Sequence, residues 1–487
     1  MRMKDCMEGG RADRSARNVR RRLDQARRPG RALAVACLTF AALTGQAAAP
    51  PAQPPAAGPP TRVEYHGTLF YEGHFRHPGD VHPYHSRQIY STDGRGAARL
   101  DWTTWEEGDT VFVPESYLLT DGRVFHRDSP AVPWQEYQGP RARQGRLQAC
   151  AGLPGALERA LDWKQPESGE AWSRLKGRLD RYTRLWPHPR LGDVRDSVAF
   201  FYRPAGLAPD SMEMALHMRD SNWRLTARQV AWSATPCADS LFAAPVNLAP
   251  APRSEEDDSL GAVPPFTRVA PGLWSADLAD IDSRTLVVEF ADHLAVIETA
   301  VGSANGERIV DAIRRQWRSK PIRYALFSHY HPHYTGGLRA LIAAGATVIT
   351  TPGNEAFVRR VAGYPFHASP DRLARHPRPL RVVTFSDRYE LADSSNRMVA
   401  FNYGERSQHT DEFVLFWFPH QQLLFETEQG WIGSGATMRA GRRAKNLIAW
   451  ISENGLGARR ILQGWPMRDT EASLTLAQLD SLVKARK

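Results

Sequence analysis

Phe327-Ser328-His329-Tyr330-His331-Pro332-His333-Tyr334-Thr335-Gly336-Gly337 is the stretch on which the reading of this chain turns. An apolar run, Tyr324-Ala325-Leu326-Phe327, leads into it, and a helical pattern follows. Alternate residues of an extended segment point to the same side, so His329, His331 and His333 converge where a strand ends and a loop begins. Neutral imidazole suits zinc and related divalent ions, and several on one loop make a metal site. A His-rich surface loop has the same composition, so the run alone leaves both readings open.

The rest of the chain supplies the context. Its 487 residues suffice for two or three domains, and a 42% hydrophobic content fills ordinary cores. The formal net charge is +10, but residues 1–31 alone carry +7. The body is therefore close to neutral, and nucleic acid is not an expected partner. In the same segment Arg27, Arg28 and Arg31 precede the apolar run Ala32 to Leu43, and Ala47-Ala48-Ala49 follows. Charged, apolar and small residues in that order read as a secretory signal over 1–49, which predicts an exported protein, periplasmic or secreted. The run falls short of the ~20 residues of a spanning helix, so no stable membrane span is expected once the signal is removed. Cys6 and Cys37 would leave with it, and Cys150 and Cys237 either pair or stay as buried thiols.

Residues 50–60 are a Pro/Ala tether. From 61 to 245 the pattern is that of an antiparallel β-rich domain. Val63 to Tyr71 alternates, as do Ala98 to Trp102 and Thr110 to Val113, and Asp121-Gly122 signals a hairpin. Ala156 to Trp163 and Glu170 to Leu175 read as helical. His66, His74, His77, His82 and His85 crowd this domain at irregular spacing, which fits exposed or aromatic-packed histidines better than a metal site. Residues 246–265, with Glu255-Glu256-Asp257-Asp258, read as a linker. From 266 to 487 apolar strands alternate with helices, the mark of an α/β arrangement with covered sheets.

This second region resembles the metallo-β-lactamase-fold hydrolases. Val269-Ala270-Pro271-Gly272-Leu273-Trp274 resembles their opening strand, and Val296-Ile297-Glu298-Thr299 a strand that ends in Asp-Thr in the family. Ser328 to Gly337 aligns with the family's Thr-His-x-His-x-Asp-His-x-Gly-Gly, Gln408-His409-Thr410-Asp411 with the segment of its third histidine, and Leu423 to Glu428 with the strand leading to its bridging Asp. The resemblance implies an αββα sandwich behind the β-rich domain, with His329, His331 and His409 as metal ligands. It also implies a degenerate second site. His333 stands where the family has Asp, Tyr334 where it has His, Glu428 where it has the bridging Asp, and Trp465 or Gly464 where it has the last His.

The expected cofactor is therefore one zinc ion, and the expected reaction is cleavage of an ester, lactone or amide-type bond in a small molecule by metal-bound hydroxide. His333 and Glu428 are the catalytic candidates. His333 would bind the ion, shuttle a proton or hold the site by a hydrogen bond. Glu298, Asp411 and Glu426 are candidate outer partners of the ligands, while Trp431, Trp450 and Trp465 line a pocket or fill the core. The rival expectation is a non-catalytic protein that keeps the sandwich, with or without a structural metal, and whose β-rich domain contacts lipid or protein.

Overall fold

The computed structural model describes residues 59–484 except 74–75, 107–108, 110–113, 189–191, 204–208, 220–221, 250–261, 300, 368, 431–440, 466 and 468–472. The expected signal, nearly all of the tether, most of the linker, the expected strand Thr110 to Val113, and Trp431 lie outside the described residues. Within them no helix is long and apolar enough to cross a membrane.

The amino-terminal half is an antiparallel sheet of eleven strands. Its first strand, Thr61–Glu72, lies near the middle, and the chain walks outward from it strand by strand to Gln135–Tyr137 at one edge. Two helices, Gly139–Cys150 and Pro154–Ala160, carry it across to Glu170–Leu175 at the other edge. From there it walks inward until Asn222–Ser233 pairs with the first strand. Alternation explains the covered face: Val63, Tyr65, Leu69 and Tyr71 join a core with Leu147, Ala151 and Leu157 of the helices, while His66 points to solvent.

Two local expectations meet different fates here. Asp121 and Gly122 both take positive φ, 50° and 72°, as a two-residue hairpin turn requires. Glu170–Leu175 is a strand and not a helix, because Lys176 and Gly177, also at positive φ, fold it back onto Arg178–His188. Sheet pairing overrides the helix-favouring composition. Cys150 and Cys237 are unpaired: Cys150 is buried among the helix residues, and Cys237 packs near Phe242 in a separate cluster. Burial pushes the Cys150 thiol up to about 12, so it is inert at neutral pH.

In the carboxyl-terminal half a seven-stranded and a six-stranded sheet face each other. Leu286, Val288, Ile297 and Leu326 of one meet Met398, Ala400, Phe416 and Phe425 of the other. The intervening residues of the same strands are buried as well, but against helices. Val287 and Val296 pack with Ile309 and Ile313 of Ser303–Gln316, while Leu415 and Leu424 pack with Leu447 and Ile451 of Arg442–Glu453. Strands covered on both faces are why the sequence shows near-continuous apolar runs. Gly336 and Gly337 are needed for close approach, since a Cβ on Gly336 would lie 2.2 Å from the Gly302 nitrogen and one on Gly337 2.7 Å from the Gly306 Cα.

Candidate metal centre

Two of the candidate histidines and Glu428 come from strand ends, and the third histidine from a turn. Strand Ile322–Leu326 runs out into Ser328, His329, Tyr330 and His331. His409 follows a short 3-10 turn, Gly404–Ser407, in which Ser407 Oγ accepts from the His409 and Thr410 amides at 3.1 Å and donates to the Thr410 carbonyl. Glu428 stands just beyond strand Leu423–Glu426 at φ 58°.

Three imidazole nitrogens converge. His331 Nδ1 lies 3.2 Å from His329 Nε2 and 3.1 Å from His409 Nε2. Three Zn–N bonds of ~2.0–2.1 Å at tetrahedral angles would set such nitrogens about 3.3 Å apart. Glu428 completes the group: the four residues offer ligand atoms all within 4.8 Å of one another. Its Oε2 is 2.8 Å from His409 Nε2, and its Oε1 is 3.6 Å from His329 Nε2. Nitrogen donors at this spacing beside a carboxylate fit a zinc ion.

The surroundings keep His329 in metal-binding form. Burial pushes the His329 imidazole down to about 3, so it is neutral at pH 7 and free of a competing proton. Its Nδ1 lies 3.0 Å from Ser328 Oγ, which also accepts from Thr427 Oγ1 at 2.8 Å. The Ser328 amide donates to Glu298 Oε1 at 2.9 Å. With His329 Nδ1–H donating to Ser328, Nε2 presents its lone pair to the centre. Glu298 is fully buried, and that burial drives its carboxyl well above the usual range. Burial pushes Glu428 the same way, but adjoining His409, by charge and hydrogen bond, outweighs it and holds its carboxyl well below the usual range.

Tyr334 and Arg443 complete the frame around Glu428. Buried Tyr334 donates its hydroxyl to Glu428 Oε1 at 2.8 Å and lies against the His329 ring, centroids 4.2 Å apart. Arg443, at the start of helix Arg442–Glu453, reaches Glu428 Oε2 at 3.2 Å and the His409 ring at 3.3 Å.

His333 is not part of the cluster. The alternation that aimed it at the other histidines ends at Pro332, which opens the short helix Pro332–Thr335. The turn carries His333 onto Trp465, ring centroids 5.0 Å apart. Trp450 lies in the core beneath its own helix. Glu426 accepts from the Gln429 amide at 2.7 Å and closes the turn that carries Glu428, with its carboxyl pushed up to about 7 by burial. Asp411 faces the amino-terminal sheet and not a ligand ring, through Arg76 and His77. Of the other early histidines, His66 bonds Glu64 and His85 stacks on Trp105, while His74 lies outside the described residues. Ser328, Thr427 and Arg443 were not singled out from the sequence. Ser328 alone had a signal, its place directly before the first ligand.

No family model matches the chain. Solved structures similar to it are metallo-beta-lactamases. One from Pontibacter korlensis is 16% identical over 45% of this chain and 96% of its own, with a TM-score of 0.33. One from Pseudomonas aeruginosa in a mono-zinc form is 17% identical over 47% and 96%, also at 0.33. One from Erythrobacter litoralis is 18% identical over 47% and 98%, again at 0.33. At these values the likeness decides nothing by itself, and the case for the site rests on its geometry.

Proposed function

We propose that this chain is an exported metal-dependent hydrolase with an αββα sandwich of metallo-β-lactamase type, holding one zinc ion on His329, His331 and His409. Its reaction is the opening of an ester, lactone or amide-type bond in a small molecule. The observation that carries this reading is the convergence of His329 Nε2, His331 Nδ1 and His409 Nε2 beside the Glu428 carboxylate. A bound zinc ion supplies Lewis acidity toward a carbonyl and lowers the pKa of a water ligand to ~7.

The protein's own groups do the rest. Glu428, ionised at neutral pH, is the hydrogen-bond acceptor that orients the attacking water at the centre. The Tyr334 hydroxyl holds its Oε1, and the Arg443 guanidinium holds its Oε2. That guanidinium also supports a single ion, since a second cation bridged by Glu428 would meet a fixed positive charge. Ser328 and Thr427 keep His329 in one orientation.

Metal analysis of the purified chain tests the site. About one zinc per chain, lost in His329→Ala and His409→Ala, is expected; no metal on the wild type refutes it. Panels of esters, lactones and β-lactams with and without chelator test turnover. Activity indifferent to both chelator and histidine substitution rules the mechanism out. One observation favours a second reading, a structural metal without hydrolysis: both Glu428 oxygens are already engaged. Zinc held at full occupancy with no turnover on any panel would decide for it.

A further inference from the structure

We infer that the amino-terminal sheet is part of the metal centre's scaffold, with Arg76 and His77 acting as positioning residues for the ligand His409. The inference rests on the metal reading above.

The turn that presents His409 ends at Asp411, two residues on. Asp411 Oδ1 accepts from Arg76 Nε at 2.8 Å and Nη2 at 2.5 Å, and its Oδ2 lies 3.0 Å from His77 Nε2. The Asp411 amide donates to the Arg76 carbonyl at 2.9 Å, so both the backbone and the side chain of this residue are held from the sheet. The other ligand loop is fastened at the same place. Tyr330, between His329 and His331, is buried and donates its hydroxyl to the Gly73 carbonyl at 2.9 Å, with the His77 carbonyl at 3.3 Å. Gly73, Arg76 and His77, just after the first strand, thus grip both loops that carry the three histidines. Fully buried Arg219 adds a third tie from the sheet, donating to the Gly336 carbonyl at 3.0 Å just past the histidine run.

Exposure separates a positioning role from plain stability. The Arg76 side chain is 59% exposed and Asp411 11% exposed. An ion pair with one partner this open adds little to folding stability. Its leverage is geometric, because three nitrogens must be held to within tenths of an ångström for one ion.

The test uses the full-length chain, with zinc affinity measured by competition against a chromophoric chelator. Outer partners of metal ligands typically govern affinity by 10–100-fold, and Arg76→Ala is expected at the lower end, about tenfold weaker. Asp411→Asn weakens binding by a similar factor. The double variant is no weaker than the worse single one, since both break the same tie. Melting temperature without metal stays at the wild-type value, and the visible bands of the cobalt(II)-loaded Arg76→Ala protein shift from the wild type's. Wild-type affinity and wild-type cobalt bands in both single variants overturn the inference and leave the metal reading standing. No zinc on the wild type overturns both.

Discussion

Left-handed backbone at non-glycine residues occurs in both halves of the molecule, in different settings. In the amino-terminal sheet, Asp121 and Lys176 sit in two-residue hairpin turns, each followed by a glycine also at positive φ. In the sandwich, Asp282 and Gln422 take it at turns too, but Glu298, Gln408 and Glu428, with φ of 62°, 53° and 58°, are at or beside the candidate metal centre. The turns need that conformation to reverse the chain. At Glu298 and Glu428 it aims a buried carboxyl, and burial together with hydrogen bonding holds it in place. Two buried carboxyls, Asp196 and Glu428, differ as well. In the sheet, burial pushes Asp196 up to about 6 despite nearby Arg184 and the Trp186 indole. At the centre, partners hold Glu428 well below the usual range. Asp196 bears its burial cost, as Glu298 does, whereas the burial cost of Glu428 is outweighed by its partners.

The largest effect that would break this contrast is on the metal. His329→Ala should abolish zinc uptake while leaving the thermal unfolding of the sheet half in place; retained zinc by elemental analysis would erase the distinction. Next comes Glu428→Gly, which relieves positive φ but strips Tyr334, His409 and Arg443 of a shared buried partner. It should cost about 3–4 kcal/mol in denaturant unfolding.

Asp196→Asn sharpens the comparison through pH. A carboxyl raised from 3.8 to about 6 gives stability that is full below its unfolded pKa and is lost as pH rises through the folded value. The variant should therefore gain about 3 kcal/mol at pH 8 relative to pH 4, read as a flatter stability curve. Glu428 carries the opposite sign, with stability present above its unfolded pKa and lost as pH falls. The smallest effect is Lys176→Gly. Relief of left-handed strain in an exposed turn should raise stability by about 1 kcal/mol, in contrast to the loss on the same change at Glu428.

Much of this could be read before the structure because it is local. Alternating apolar residues announced the sheet, Asp121-Gly122 its hairpin, and His329-x-His331 with Gln408-His409 the histidines that converge. The expectation failed where one residue redirected its neighbours. Pro332 starts a helix and swings His333 away, and Lys176-Gly177 makes a strand of a segment with helix-favouring composition. Ser328 and Thr427 lie 99 residues apart, and Arg76 and Asp411 lie 335 apart. No periodicity reports such meetings, because each residue is an ordinary polar one until the fold brings its partner.

The pairing of the first strand with the last one of the sheet also bears on how the molecule is made. Thr61–Glu72 has no neighbour on one side until Asn222–Ser233 exists, and contacts so distant in sequence make for slow folding. Arg76 and His77, just beyond that first strand, wait longer still for Asp411. Early synthesis thus yields a chain with open strand edges and no grip on an ion. On the proposed reading, capture of a metal is a late event, because it waits for His409.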